Sequence, residues 1–151
     1  MKHKKLLMAV GILILVVGIP FAYWTISPIF RFVEVQDEIP GDINMDTATT
    51  SGPFTVVPTT GHPASGTLRV IESNGETVLR YENFKTLNGP DLRVYLASDL
   101  KATKYVDLGD LKGTQGNINY IVPKGTDLSQ YPYVLTWCRA FSVLFNSVKI
   151  N

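Results

Sequence analysis

Cysteine is nearly absent: Cys138 is the only one in 151 residues, so no disulfide can close within the chain. Histidine is almost as scarce, with His3 and His62 alone. A four-ligand Cys/His zinc site cannot be assembled from this set. Nor can a blue-copper centre, which takes two imidazoles and a thiolate. The reading for metals is therefore none. There is no C-x-x-C-H for covalent haem attachment and no G-x-S-x-G nucleophile elbow. One histidine beyond the N-terminal segment is too few for hydrolytic triad chemistry to be argued. No phosphate-cradling glycine loop is present; the glycines fall at turns. These gaps speak against a classical enzyme. Charge is also thin, at 18% of residues. Setting Lys2, Lys4 and Lys5 aside from 14 basic residues leaves 11 against 13 acidic ones. No basic stripe remains for a phosphate backbone, so nucleic acid is excluded as a partner.

What the chain does have is a long uncharged run from Leu6 to Phe30. About 20 helical residues cross a hydrocarbon core of roughly 30 Å, and residues 6–26 meet that length. Tyr23 and Trp24 fall where an interfacial aromatic belt would lie, and Pro20 is expected to kink or loosen the helix. The basic start, residues 1–5, predicts a cytoplasmic N-terminus and an extracytoplasmic remainder on a single-pass cell-membrane protein. The surroundings of Ala22 make a poor signal-cleavage site, so the helix is expected to stay as a signal anchor. No Cys follows the run to carry a lipid.

Residues 27–51 lack both helical and strand periodicity and are expected to be a linker. Residues 52–151 change texture to short apolar alternations punctuated by Gly, Pro, Asn and Asp. Thr67–Ile71, the turn Ser73-Asn74-Gly75 and Thr77–Phe84 form the clearest hairpin signal. Leu92–Leu96, Tyr105–Leu108, Asn117–Val122, Tyr133–Cys138 and Phe141–Ile150 follow, with Phe54–Val57 as an opening strand. The chain is long enough for one core plus the anchor. Seven or eight such strands predict an all-β fold: an antiparallel β-sandwich or jelly-roll-like domain behind one N-terminal transmembrane helix.

Three segments are more specific than any alternation. ENFKTLNGPDLRVYL (82–96), LGDLKGTQGNINYIVP (108–123) and WCRAFSVLFNSVKI (137–150), with GHPASGTLRV (61–70) before them, resemble the DM-thirteen domain. That family of extracellular domains occurs alone or beside DOMON-type domains and has been assigned to electron transfer. The resemblance covers residues 52–151. It implies an all-β domain whose signature cysteine, matched by Cys138, serves as a redox thiol or a haem ligand, with an unidentified redox or surface protein as partner. Where relatives carry Gly after the last Phe, this chain has Asn146.

The residues themselves leave alternatives open. A lone exported thiol is buried and inert, paired with another molecule, or functional. Reactivity requires thiolate character from a nearby cation, helix N-terminus or metal. Arg139 adjoins Cys138 in sequence, but strand neighbours point to opposite faces. Cys138 shares its face with Val134 and Thr136. A non-covalent haem on His62 or Cys138 is chemically allowed; the plainer reading of His62 is a loop residue capping a strand. Asp91 reads first as a turn-former whose carboxylate accepts backbone N–H groups. Trp137, Tyr133, Tyr120 and Phe145 read as packing before they read as an electron path. Two functions follow: a membrane-tethered redox domain centred on Cys138, or a non-enzymatic binding or adhesion sandwich with Cys138 as core filler.

Overall fold

The computed structural model describes residues 2–27 and 31–151. His3–Ile26 forms one apolar helix, long enough to cross a bilayer, and no described residue of its apolar window is buried. Its α-helical pitch gives way to a π turn over Ile14–Gly18, just before Pro20. Proline supplies no N–H and its ring crowds the carbonyl four residues back, so the wider turn relieves both problems where a kink was expected.

Ten strands follow. They are β1 (Glu34–Gln36), β2 (Thr49–Thr55), β3 (Val57–Pro58), β4 (Ala64–Ser73), β5 (Glu76–Thr86), β6 (Leu92–Ala97), β7 (Tyr105–Asp110), β8 (Gln115–Val122), β9 (Tyr133–Cys138) and β10 (Val143–Lys149). They make two five-stranded sheets, ordered β1-β8-β5-β4-β2 and β3-β10-β9-β6-β7. Every pairing is antiparallel except β1 on β8. The expected β-sandwich is the fold, with β1 and β3 as short strands beyond the anticipated count.

Alternation builds the interior. Leu68 and Val70, Leu79 and Tyr81, Val94 and Leu96, Ile118, Tyr120 and Val122 face one another between the sheets in a single buried cluster with Val134 and Val148. Each large apolar side chain buried there contributes about 1.5–3 kcal/mol before conformational entropy is charged against it. The β4–β5 hairpin turns through Asn74 and Gly75, both at positive φ, the geometry that Asn-Gly favours.

The segment expected as a linker differs from that expectation. Val35 and its neighbours pair with β8, and Ile39, Ile43 and Ala48 pack on Ile71 and Val78, covering the outer face of the first sheet. Asn119 fastens this cover. Its backbone N–H donates to Asp37 Oδ2 (3.0 Å), its Nδ2 donates to Glu38 O (2.6 Å), and its Oδ1 accepts from Arg80 Nη1 (2.8 Å). Residues 34–51 are part of the folded unit.

Candidate functional site

Strand directions decide where the chemistry-bearing residues meet. β5, β7 and β9 end, and β4, β6, β8 and β10 begin, at one end of the sandwich. The three motif segments therefore converge there. Asn88-Gly89-Pro90-Asp91 joins β5 to β6, Leu111-Lys112-Gly113 joins β7 to β8, and Arg139–Ser142 joins β9 to β10. Backbone bonds lace these loops together: Leu111 N donates to Leu92 O (2.8 Å) and Arg139 N to Asp91 O (2.9 Å).

Cys138, the last residue of β9, is 1% exposed and packs with Leu92 and Phe145. Over it lies a cleft of about 270 Å³ whose walls include His62, Pro90, Phe141, Val143 and Phe145, with Thr25 of the N-terminal helix at its margin. The two candidate residues, Cys138 and His62, thus border one cleft. Among the described residues they are also the only titratable side chains lining it.

His62 is held from two sides. Its ring lies against Phe145 with centroids 4.0 Å apart. Its Nδ1 is 3.3 Å from Thr59 Oγ1, which is 2.7 Å from Leu144 O and 2.8 Å from Phe145 O. A hydroxyl has one proton, and the carbonyls can only accept. Thr59 therefore donates to them, and His62 Nδ1–H donates to Thr59. The neutral imidazole then carries its lone pair on Nε2.

Gly89 shapes the cleft wall. A Cβ there would sit 3.1 Å from both Leu92 Cδ2 and Phe145 Cζ, so glycine lets the β5–β6 loop close on the ring. Asn146, beside Phe145, is fully buried and donates from Nδ2 to Thr86 Oγ1 (3.1 Å). Its Oδ1 has no hydrogen-bond partner among the described residues, and neither do Tyr81 OH and Thr136 Oγ1.

Asp91 serves differently from expectation. Its Oδ2 accepts from Arg139 Nε (2.8 Å), tying the β9–β10 turn to the β5–β6 loop. That bond raises the Arg139 pKa and engages the cation nearest Cys138 in sequence. The aromatic residues divide. Trp137 and Tyr133 pack on the outer face with Tyr95, Tyr120 lies in the central core, and Phe145 borders the cleft. Among the described residues, no ring-to-ring contact joins any two of these four.

The haem alternative has suitable donors in an imidazole and a thiol but little enclosed room. Clefts that hold drug-sized ligands span about 300–1,000 Å³, and this one is smaller than that while a haem is larger than such ligands. Among the described residues, no group of three or more His, Cys, Asp or Glu side chains is placed to hold a metal ion.

Sequence reasoning singled out His62 and Cys138 but missed that Thr59, Gly89 and Pro90 would frame them. The signal for Gly89 was its place in Asn-Gly-Pro-Asp; nothing local marked Thr59. A family model described as electron transfer DM13 matches residues 43–150, starting at the Ile43 that seats the cover on the first sheet. No curated protein and no solved structure matches the chain.

Proposed function

We propose, from the premise that this chain belongs to the electron transfer DM13 family, that it is a membrane-tethered extracytoplasmic domain whose redox chemistry is carried by Cys138. The observation that supports this reading is the shared cleft: the lone thiol and the one exported imidazole border the same opening. A single thiol has one balanced reaction with a partner protein that carries a disulfide. Cys138 loses its proton to His62 Nε2, directly or through water, and its sulfur attacks the partner's disulfide. One S–S bond forms between the proteins as the partner's breaks, and the departing partner thiolate takes up the proton. Lys2, Lys4 and Lys5 favour a cytoplasmic N-terminus, which would place the cleft in an oxidising exterior.

A second reading rests on the burial of Cys138 against Leu92 and Phe145: an inert core thiol in a surface binding or adhesion module. Thiol titration of the folded full-length chain, paired with an absorption spectrum, separates the two. Under the redox reading the thiol is modified by disulfide reagents under native conditions, and the product is a mixed disulfide absent in Cys138→Ser. A thiol that reacts only after denaturation rejects the redox reading in favour of the binding module. A Soret band lost in His62→Ala would support haem binding at the cleft instead.

A further inference from the structure

We infer that the end of the sandwich bearing the Cys138–His62 cleft docks on the phospholipid surface of the membrane that holds the N-terminal helix. Any partner of Cys138 would then be membrane-borne. The inference rests on the reading of His3–Ile26 as a membrane anchor.

Chain length gives the first argument. The chain from Ile26 to Arg31 can extend at most roughly 18 Å, at about 3.5 Å per residue. Arg31 is fixed to the domain at this end, where its carbonyl accepts from Asn88 Nδ2 (3.1 Å). Val33 continues the attachment through Thr114, with Val33 N donating to Thr114 Oγ1 (2.9 Å) and Thr114 N to Val33 O (2.8 Å). The β5–β6 loop is therefore within a short reach of the bilayer boundary. The opposite end, with the Asn74-Gly75 hairpin, lies beyond it by the length of the ten-residue β4, about 33 Å.

Surface chemistry gives the second. Phe32, Val33 and Phe141 are 59%, 45% and 50% exposed around the cleft end. Aromatic rings at this depth suit the headgroup region. The opposite end exposes Met45, Leu100 and Tyr105, which lie on separate segments, and no phenylalanine or tryptophan among the described residues. Arg31 and Lys85 are exposed at the cleft end, and neither has a carboxylate partner among the described residues. Free cations beside exposed rings complement anionic phosphate groups.

The test uses the full-length chain in lipid nanodiscs containing anionic phospholipid. Spin labels are placed through Phe141→Cys or Lys101→Cys in a Cys138→Ala background. Collision with oxygen, which concentrates in lipid, is compared with collision with a water-soluble nickel chelate. The oxygen-to-nickel ratio is expected to be several-fold higher at position 141 than at 101. Hydrogen exchange of the unaltered chain supplies a second readout if the Cys138→Ala background folds poorly. Residues 87–91 and 139–142 should exchange several-fold more slowly in nanodiscs than in detergent, with 98–104 unchanged. Equal ratios at the two positions, or equal exchange in the two media, would overturn the docking. A chain that fails to enter nanodiscs would remove the anchor and the docking together. None of these outcomes bears on the thiol chemistry, which the absorption and titration experiment decides.

Discussion

His62 packs on Phe145, the rings tilted by 37° with centroids 4.0 Å apart, so a residue two places before strand β4 and the bulge in β10 together close one wall over Cys138. Phe145 packs against the thiol in the same apolar cluster. Phe145→Leu removes the aromatic partner of His62 while keeping an apolar filler. It should cost about 1–3 kcal/mol and raise the rate of thiol modification roughly tenfold. The rate, followed with a disulfide reagent at low denaturant, should be independent of denaturant if reagent enters through the cleft. A rate that tracks global unfolding would rule that route out.

Gly116 has φ of +111° in β8, and a Cβ there would be driven into the carbonyl of Val35 on β1. Only glycine permits both the conformation and the approach. Gly116→Ala should lift Glu34–Gln36 from the sheet edge and destabilise the domain by about 2–4 kcal/mol. Hydrogen exchange should then show early loss of protection at Asp37, whose N–H donates to Asn117 O (2.8 Å) in the native fold. Unchanged protection would mean that β1 is held by something other than this contact.

Much of the sandwich was legible because its strands alternate. Tyr133–Cys138 was read with both ends correct, and Asn74-Gly75 announced its hairpin by turn chemistry. The cover formed by residues 37–48 was not, because Ile39 and Ile43 are separated by Pro40-Gly41 and flanked by acids without any period. The clue lay in the strands beneath. Val70-Ile71 and Val78-Leu79 are adjacent apolar pairs, and a strand with apolar side chains on both faces needs both faces covered. At the site, Cys138 and His62 stood out by scarcity. Their meeting did not, because it depends on which ends of β4, β9 and β10 come together, and strand order leaves no local mark.

Asn119 tests how firmly that cover is held. It is 5% exposed and joins Arg80, Asp37 and Glu38 through three hydrogen bonds. Asn119→Ala keeps the backbone bond to Asp37 but strips both side-chain bonds, leaving Glu38 O without that donor and Arg80 without that acceptor. The expected loss is about 2–3 kcal/mol, read as a lower denaturant midpoint. Limited proteolysis should cut first between residues 37 and 48. Cleavage spread evenly over the chain would show that the network supports the whole sheet rather than its cover.

Two buried phenols make the fold sensitive to alkali. Burial pushes Tyr120 up to about 12, and burial together with the neighbouring Tyr120 raises Tyr81 further still. The Tyr120 hydroxyl is also committed, accepting from Lys112 N (2.9 Å) and lying 3.2 Å from Asp110 O, to which it donates. In the unfolded chain both phenols ionise near pH 10. Above that pH the unfolded state has released protons that the native state retains, so stability falls as pH rises. The contribution is whole below about pH 10 and declines from there through about pH 12, where Tyr120 ionises in the fold. The preference of the fold for the protonated Tyr120 phenol is worth roughly 2–3 kcal/mol. Denaturant unfolding at about pH 9 and about pH 11.5, on either side of the ordinary phenol value, should show this drop, with tyrosinate absorbance appearing together with unfolding. Tyr120→Phe should flatten the slope while lowering stability at the lower pH through its two lost hydrogen bonds. If the slope is the same in the variant, the alkaline loss belongs to Tyr81 or to the lysines, and Tyr120 must be ionising in the native state at its ordinary value.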